Sequence, residues 1–282
     1  ALSSAASDVY KRQAVDDTVY IGTQGDNLHQ IDIRTRTLKK NIVTRGTPGL
    51  NYTSDFSCCF RDSENNFWIG TLDRGYSVRY ANEKEFTRSI RLGKQTLSKF
   101  VNAITISKDG TRWIGSRFKG MLAYTSQLDL KWHTMENCTL MQRLNSKNVS
   151  ALFADSSGHL WVNIDDRIAC CNTRHQTILD YTLLPERFSA NRFCEDARHD
   201  VWVATTSGLL VYDGMRLRDA CFEGCDVQDV IRLDDTTMLA AVFRRGLFAI
   251  DSRRLERRPF LEAPDSLTAT ALRHATCLLK GR

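Results

Sequence analysis

Val101-Asn102-Ala103-Ile104-Thr105-Ile106-Ser107-Lys108-Asp109-Gly110-Thr111-Arg112-Trp113-Ile114-Gly115-Ser116 is the stretch whose reading decides the fold. Residues 101–106 alternate apolar and polar side chains with a period of two, which suits a half-buried strand. Ser107-Lys108-Asp109-Gly110 is a tight turn signal. A second strand follows through Trp113, a side chain large enough to wedge between neighbouring sheets. Arg117-Phe118-Lys119-Gly120 turns the chain again, Met121-Leu122-Ala123-Tyr124 makes a third strand, and a fourth is expected around Leu130–His133.

The second-strand phrase recurs. It reads Val19-Tyr20-Ile21-Gly22-Thr23, Phe67-Trp68-Ile69-Gly70-Thr71, Leu160-Trp161-Val162-Asn163, Val201-Trp202-Val203-Ala204-Thr205 and, more weakly, Met238-Leu239-Ala240-Ala241-Val242. Steps between the central large residues are 48, 45, 48, 41 and 37 residues, and four of the five tryptophans occupy this slot. Short strands repeated at such a period indicate a propeller or β-array, in which each small sheet must stack on its neighbours. Inner strands are expected near Phe56, Val149, Ala190 and Val227, and third strands at Tyr76–Tyr80, Leu209–Asp213 and Leu247–Asp251. The fold class is therefore all-β: a propeller of four-stranded antiparallel blades. Units fall near residues 14–50, 51–98, 99–146, 147–187, 188–225 and 226–264, with a partial unit at 265–282. About six blades plus a fragment fit two arrangements. The C-terminal inner strand, expected near Leu267–Arg273 with a second near Cys277–Leu279, could complete the first unit. A truncated seven-bladed ring fits equally.

The 282 residues, 42% hydrophobic and 26% charged, can bury a sizeable core, and no apolar run reaches the ~18 residues of a spanning helix. A net charge of +6 favours acidic partners, yet no helix carries a basic stripe, so nucleic acid is not an expected partner. Residues 1–13 stand outside the repeat; Ser7-Asp8-Val9-Tyr10-Lys11-Arg12-Gln13 resembles translated sequencing-adapter read-through and is read as a non-native leader. The nine cysteines form no C-x-x-C pair, so no metal or cofactor site is expected. Cys221 and Cys225 could close a small disulfide loop; the bland alternative for most of the nine is a buried small hydrophobe.

The order inner strand, D-x-x-G, x-W-I-G-T, G-L/M-x-x-Y-D resembles the two-component regulator propeller repeat. The likeness is sharpest over Asn65–Tyr80, Asp109–Tyr124 and Asp200–Asp213. It departs in unit four, where Asn163-Ile164-Asp165-Asp166-Arg167 replaces the Gly-Thr-x-x-Gly segment, and in unit six, which keeps only Gly246–Asp251. The resemblance implies a periplasmic sensor region of hybrid two-component systems, common in gut Bacteroidetes. It implies further propeller and membrane-proximal domains in the same protein, a histidine kinase beyond this segment, an oligosaccharide ligand, and room for a homodimer.

For chemistry the sequence offers little. Ser107–Trp113 approaches a sialidase Asp-box, but its Gly directly follows the Asp, and no pair of convergent carboxylates is legible. The six histidines are scattered singly. No catalytic residue is expected. One pattern stands out. Loops between second and third strands should emerge at the same end as the links between blades. They carry Arg74, Arg117, Lys119, Arg167, Arg244 and Arg245 against Asp26, Asp73 and Asp166. Arginine forks suit carboxylate or sulfate, and Phe118 or Phe243 could stack on a sugar ring. The expected role is sensing of an oligosaccharide, acidic if these loops bind it. The alternatives are a protein-interaction scaffold and, less well supported, a glycan-cleaving enzyme.

Overall fold

The structure, a computed structural model, describes residues 17–23, 28–43, 56–62, 64–71, 76–82, 87–89, 91–92, 95–96, 100–125, 130–133, 138–261 and 272–280. The expected leader and Arg74 lie outside them. Strands β1 (Thr18–Thr23), β2 (Leu28–Asp32) and β3 (Thr37–Val43) open the first blade. Blade 2 is β4 (Phe56–Arg61), β5 (Phe67–Thr71), β6 (Tyr76–Arg79) and β7 (Thr87–Ser89). A short ribbon, β8 (Arg91–Leu92) with β9 (Gln95–Thr96), precedes blade 3, which is β10 (Val101–Ile106), β11 (Arg112–Ser116), β12 (Gly120–Tyr124) and β13 (Leu130–His133). Helix α1 (Thr139–Leu144) leads into blade 4: β14 (Val149–Ala154), β15 (His159–Ile164), β16 (Arg167–Arg174) and β17 (Thr177–Arg187). Blade 5 is β18 (Ala190–Glu195), β19 (Val201–Thr205), β20 (Gly208–Tyr212) and β21 (Leu217–Cys221). Blade 6 is β22 (Val227–Arg232), β23 (Thr237–Val242), β24 (Gly246–Asp251) and β25 (Arg257–Pro259).

The last strand, β26 (Ala275–Lys280), pairs antiparallel with β1 and becomes the inner strand of blade 1. Six four-stranded sheets thus close one ring, and the truncated seven-bladed arrangement is not the one formed. Two expectations are corrected here. The C-terminal inner strand begins at Ala275, while Leu272 and Arg273 form a helical turn, and Cys277–Leu279 belongs to that inner strand rather than to a second one. β26 also carries buried apolar residues (Ala275, Cys277, Leu278) that would stay in water without a partner.

The tryptophan slot works as the period suggests. Trp68, Trp113, Trp161 and Trp202 sit on the second strands of blades 2–5, none more than 7% exposed. Each indole N–H donates six residues back, into the turn before its own strand: Trp68 to Asp62 (2.9 Å), Trp113 to Ser107 (3.1 Å), Trp161 to Asp155 (2.9 Å) and Trp202 to Asp196 (3.1 Å). The second oxygen of those Asp residues accepts backbone N–H groups of the turn, as in Asn66 to Asp62 (2.8 Å) and His159 to Asp155 (2.8 Å). The fourth turn position takes positive φ, filled by Asn65, Gly110, Gly158 and His199. The D-x-x-G turn is therefore a structural unit that satisfies a buried indole and its own backbone.

The glycine after the tryptophan slot has a different cause from turn geometry. A Cβ on Gly22 would lie 2.4 Å from the Cys277 sulfur, and one on Gly70 would lie 2.5 Å from the Cys58 sulfur. The inner strand packs too closely for a side chain there. In blade 4, Asn163 takes this slot and donates to the Ser150 hydroxyl and the Asp165 carbonyl, both at 2.7 Å. A two-residue hairpin, Asp165-Asp166, with Asp165 at φ 53, then closes the turn; Thr206-Ser207 does the same in blade 5, while the turns of blades 3 and 6 are one residue longer.

All six inner strands slip register at their second residue: Ser57, Asn102, Ser150, Asn191, Gln228 and Thr276. Such bulges bend a strand and re-aim its side chains. Here five of the six donate to the backbone carbonyl that begins the next inner strand. Ser57 donates to Val101, Asn102 to Val149 (3.0 Å), Ser150 to Ala190 (3.0 Å), Asn191 to Val227 (2.8 Å) and Thr276 to Phe56 (2.8 Å). Gln228 departs, donating to Asp226 at 2.7 Å. This polar girdle around the axis ties five of the six blades to the next.

Candidate functional site

The turns between second and third strands bond to the residues that enter the inner strands, which places both at one end of the ring. Arg117 N–H donates to Phe100 C=O (3.3 Å), Asp165 to Asn148 (3.1 Å), Thr206 to Ser189 (3.2 Å) and Phe243 to Asp226 (2.9 Å). Ser or Thr at the strand end holds the turn: Ser116 accepts from Phe118 and Lys119 N–H, and Thr205 from Ser207 N–H.

On this end two turns carry the same Arg–Phe arrangement in blades 3 and 6, which lie opposite each other in a six-bladed ring. Phe118 is 57% exposed and stands edge-on to Phe100, with centroids 4.9 Å apart; the Arg117 guanidinium lies 5.5 Å from its ring. Half-buried Phe243 stands edge-on to His274 at 5.8 Å, with Arg244 5.3 Å from its ring. Arg244 holds φ 60, and its N–H donates to Arg273 C=O at 2.8 Å. Each arginine is exposed and keeps its fork open to solvent beside a braced aromatic face.

The other expected site residues are placed differently. Lys119 is exposed on the Arg117 turn. Arg245 is exposed and lines an open recess with Arg257, Phe222 and Glu223. Arg167 is not a loop residue: it begins β16, half-buried, and donates to Leu184 C=O at 3.2 Å. It opens the third strand of blade 4 in the place that Gly120, Gly208 and Gly246 hold in blades 3, 5 and 6. Cys221 and Cys225 are both free thiols.

Beneath the mouth lies a pair the sequence reading did not single out. Arg192 and Asp229 occupy the third position of their inner strands, where the other four blades have Cys58, Ala103, Ala151 and Cys277. Two opposite charges in a slot otherwise filled by small apolar residues were the available signal. The Arg192 guanidinium donates to the carbonyls of Asn102 (2.9 Å), Asn191 (3.0 Å) and Ser57, reaching from blade 5 to blades 2 and 3 across the axis. Its Nε lies 3.8 Å from Asp229. Asp229 accepts from Val230 N–H and, on β26, Leu278 N–H, both at 2.7 Å. Burial pushes its carboxyl up to about 6, against the lowering effect of Arg192 and the two amides. This pair floors the channel just below the polar girdle.

At the opposite end Ser156, Glu195 and His199 converge on adjacent turns. Ser156 Oγ lies 2.6 Å from Glu195 Oε1 and 2.8 Å from His199 Nδ1, and Glu195 Oε1 lies 2.8 Å from that same Nδ1. A nucleophilic relay needs serine and carboxylate on different ring nitrogens. Here both meet one nitrogen, so the cluster latches blade 4 to blade 5. Among the described residues no group of His, Cys, Asp and Glu is placed to hold a metal ion, and no helix is long and apolar enough to cross a membrane.

No protein-family model matches the sequence, and no curated protein matches it. Solved structures do. The chain is similar to the extracellular domain of BT4673 from B. thetaiotaomicron in two crystal structures, one named for a one component system and the other for a hybrid two component system. Identities are 15% and 14%, TM-scores 0.61 and 0.63, and coverage of this chain 86% and 93%. It spans only 32% and 34% of those longer chains, about a third of their length. A protein of unknown function from Bacteroides caccae matches with TM-score 0.62 at 10% identity, over 94% of this chain and 98% of that one. A catalytically inactive virginiamycin B lyase from Staphylococcus aureus matches with TM-score 0.56 at 14% identity, over 76% of this chain and 74% of that one. At these identities what the four share with this chain is the fold alone.

Proposed function

We propose that this propeller is a ligand-sensing module of a hybrid two-component regulatory system. In this reading it lies in the periplasm, binds an acidic oligosaccharide, and signals to a histidine kinase carried elsewhere in the protein. The observation that carries the reading is the pair of Arg–Phe turns at one mouth of a floored channel. Arg117 with Phe118, and Arg244 with Phe243, each offer a charged fork beside an aromatic face, which suits a sugar ring bearing a carboxylate or sulfate. Arg245 and Lys119 extend the same positive rim, and Arg74 remains a candidate on the corresponding turn of blade 2. The likeness to extracellular BT4673 domains supports a sensor placed outside the cytoplasm. Neighbouring propeller and membrane-proximal domains of the same protein, and a second copy in a homodimer, are the partners this reading proposes.

Two other readings compete. The lyase among the similar structures favours an enzyme, but the one Ser–His–Glu cluster described lacks relay geometry. A scaffold for protein partners would draw on exposed apolar side chains such as Leu179 and Met215, which are 65% and 87% exposed. Calorimetric titration with an acidic and a neutral oligosaccharide of equal length separates these readings. The sensor reading requires tighter binding of the acidic sugar, weakening as salt rises because exposed charges are screened over ~8–10 Å. Equal affinities would refute the acidic ligand.

A further inference from the structure

We propose that Cys59 and Cys277 are a disulfide pair that staples the ring shut where its two ends meet. Cys277 lies on β26, the strand that closes blade 1, and Cys59 on β4, the inner strand of blade 2. Their sulfurs are 2.7 Å apart, although 218 residues separate them in the chain. That is closer than ordinary sulfur contact and about 0.7 Å beyond a bond of ~2.05 Å. Among the described residues no other two cysteine sulfurs meet at hydrogen-bond distance.

The surroundings aim these two thiols at each other. Gly22 is the register partner of Cys277, and a Cβ there would lie 2.4 Å from the Cys277 sulfur, so the sulfur occupies room that only glycine leaves. Both cysteines pack in one cluster with Tyr20, Phe56 and Phe67, between blades 1 and 2. Cys58, next in sequence to Cys59, points to the other face of the strand and packs with Trp68, Tyr76 and Ile114. It therefore does not compete for Cys277.

The chemistry needs an external oxidant, a small-molecule disulfide such as oxidised glutathione or a disulfide-bearing oxidoreductase of the kind found outside the cytoplasm. One cysteine thiolate attacks the oxidant, forming a mixed disulfide and releasing one thiolate. The second cysteine, deprotonated, attacks the protein sulfur of that mixed disulfide and releases the other. The S–S bond forms, the oxidant is reduced to two thiols, and the two protons end on them. The hydrogen bond with the Cys277 thiol, and burial after it, hold the Cys59 thiol protonated well above the ordinary range, so exchange in the closed ring is slow. The bond forms fastest during folding, as β26 docks. None of this depends on the ligand or on the mouth that binds it.

The test is refolding of the full chain in a buffer of reduced and oxidised glutathione, then alkylation under denaturant, digestion and mass spectrometry. The chain should be lighter by two hydrogen atoms before alkylation, with the Cys58-Cys59 peptide crosslinked to that holding Cys277. Cys58→Ala should keep the crosslink, which assigns it to Cys59, whereas Cys59→Ser and Cys277→Ser should each lose it. The oxidised form should melt several degrees above the reduced form, and Cys277→Ser should show no such difference. Alkylation of both cysteines in most molecules, a crosslink to any other cysteine, or its loss in Cys58→Ala would overturn the proposal.

Discussion

Replacing Arg192 with Met removes the channel floor's charge while keeping most of its length. In the wild type the guanidinium satisfies the carbonyls of Ser57, Asn102 and Asn191 and faces Asp229 at 3.8 Å. Removing one partner of a buried pair costs ~3–5 kcal/mol, because the remaining charge is left without compensation. Part of that loss must follow pH. Asp229 has its carboxyl raised from 3.8 to about 6, so it contributes stability that is complete below about pH 4 and is lost as pH rises through 6. Two units at 1.36 kcal/mol each set this contribution at roughly 3 kcal/mol. Arg192 lowers that carboxyl, so its loss raises it further and deepens the penalty on the alkaline side. Urea unfolding followed by tryptophan fluorescence should therefore show Arg192→Met destabilised most at pH 8 and least at pH 5. A loss below ~1 kcal/mol, or one equal at both pH values, would refute the assignment of Arg192 and Asp229 as a coupled floor.

Other outcomes follow from the blade geometry. Trp113→Ala, which empties a fully buried slot and removes the bond that the Ser107 hydroxyl accepts, should cost ~3–5 kcal/mol in the same melts. Gly70→Ala drives a Cβ to 2.5 Å from the Cys58 sulfur and 3.0 Å from the Val101 carbonyl, and should cost ~1–3 kcal/mol despite adding one methyl. Deleting residues 275–282 exposes the inner edge of β1 and should turn a cooperatively melting protein into an aggregating one by light scattering. Arg117→Ser with Arg244→Ser should leave stability within ~0.5 kcal/mol, since both side chains are exposed, while removing the preference for an acidic sugar.

Much of the fold was legible because a repeat states its own register. The inner strands begin at Phe56, Val149, Ala190 and Val227 as the pattern places them; the first three precede a turn whose Asp must reach a Trp six residues on, and Val227 precedes the Asp234 turn of a blade without one. What the repeat could not state was closure. β26 lacks a tryptophan slot and a turn of its own, and only its pairing to β1 identifies it as the missing strand of blade 1. The bulge girdle was hidden for another reason: Ser57, Asn102, Ser150, Asn191 and Thr276 share a slot and a task but not a residue type. Of the expected site residues, Arg117 and Arg244 are exposed on their turns. Arg167 is half-buried, because it fills the strand-opening slot that glycine holds in blades 3, 5 and 6. Arg192 and Asp229 escaped notice because a buried ion pair spanning different blades leaves no local spacing to find.

The most direct test of the central claim is hydrogen exchange by mass spectrometry, with and without an acidic oligosaccharide at saturating concentration. The account predicts slowed exchange confined to the turns at Arg117–Lys119 and Phe243–Arg245, with the Asp155–Gly158 and Asp196–His199 turns at the opposite end unchanged. Protection at that opposite end, or none at the Arg–Phe turns while the sugar is bound, would contradict it.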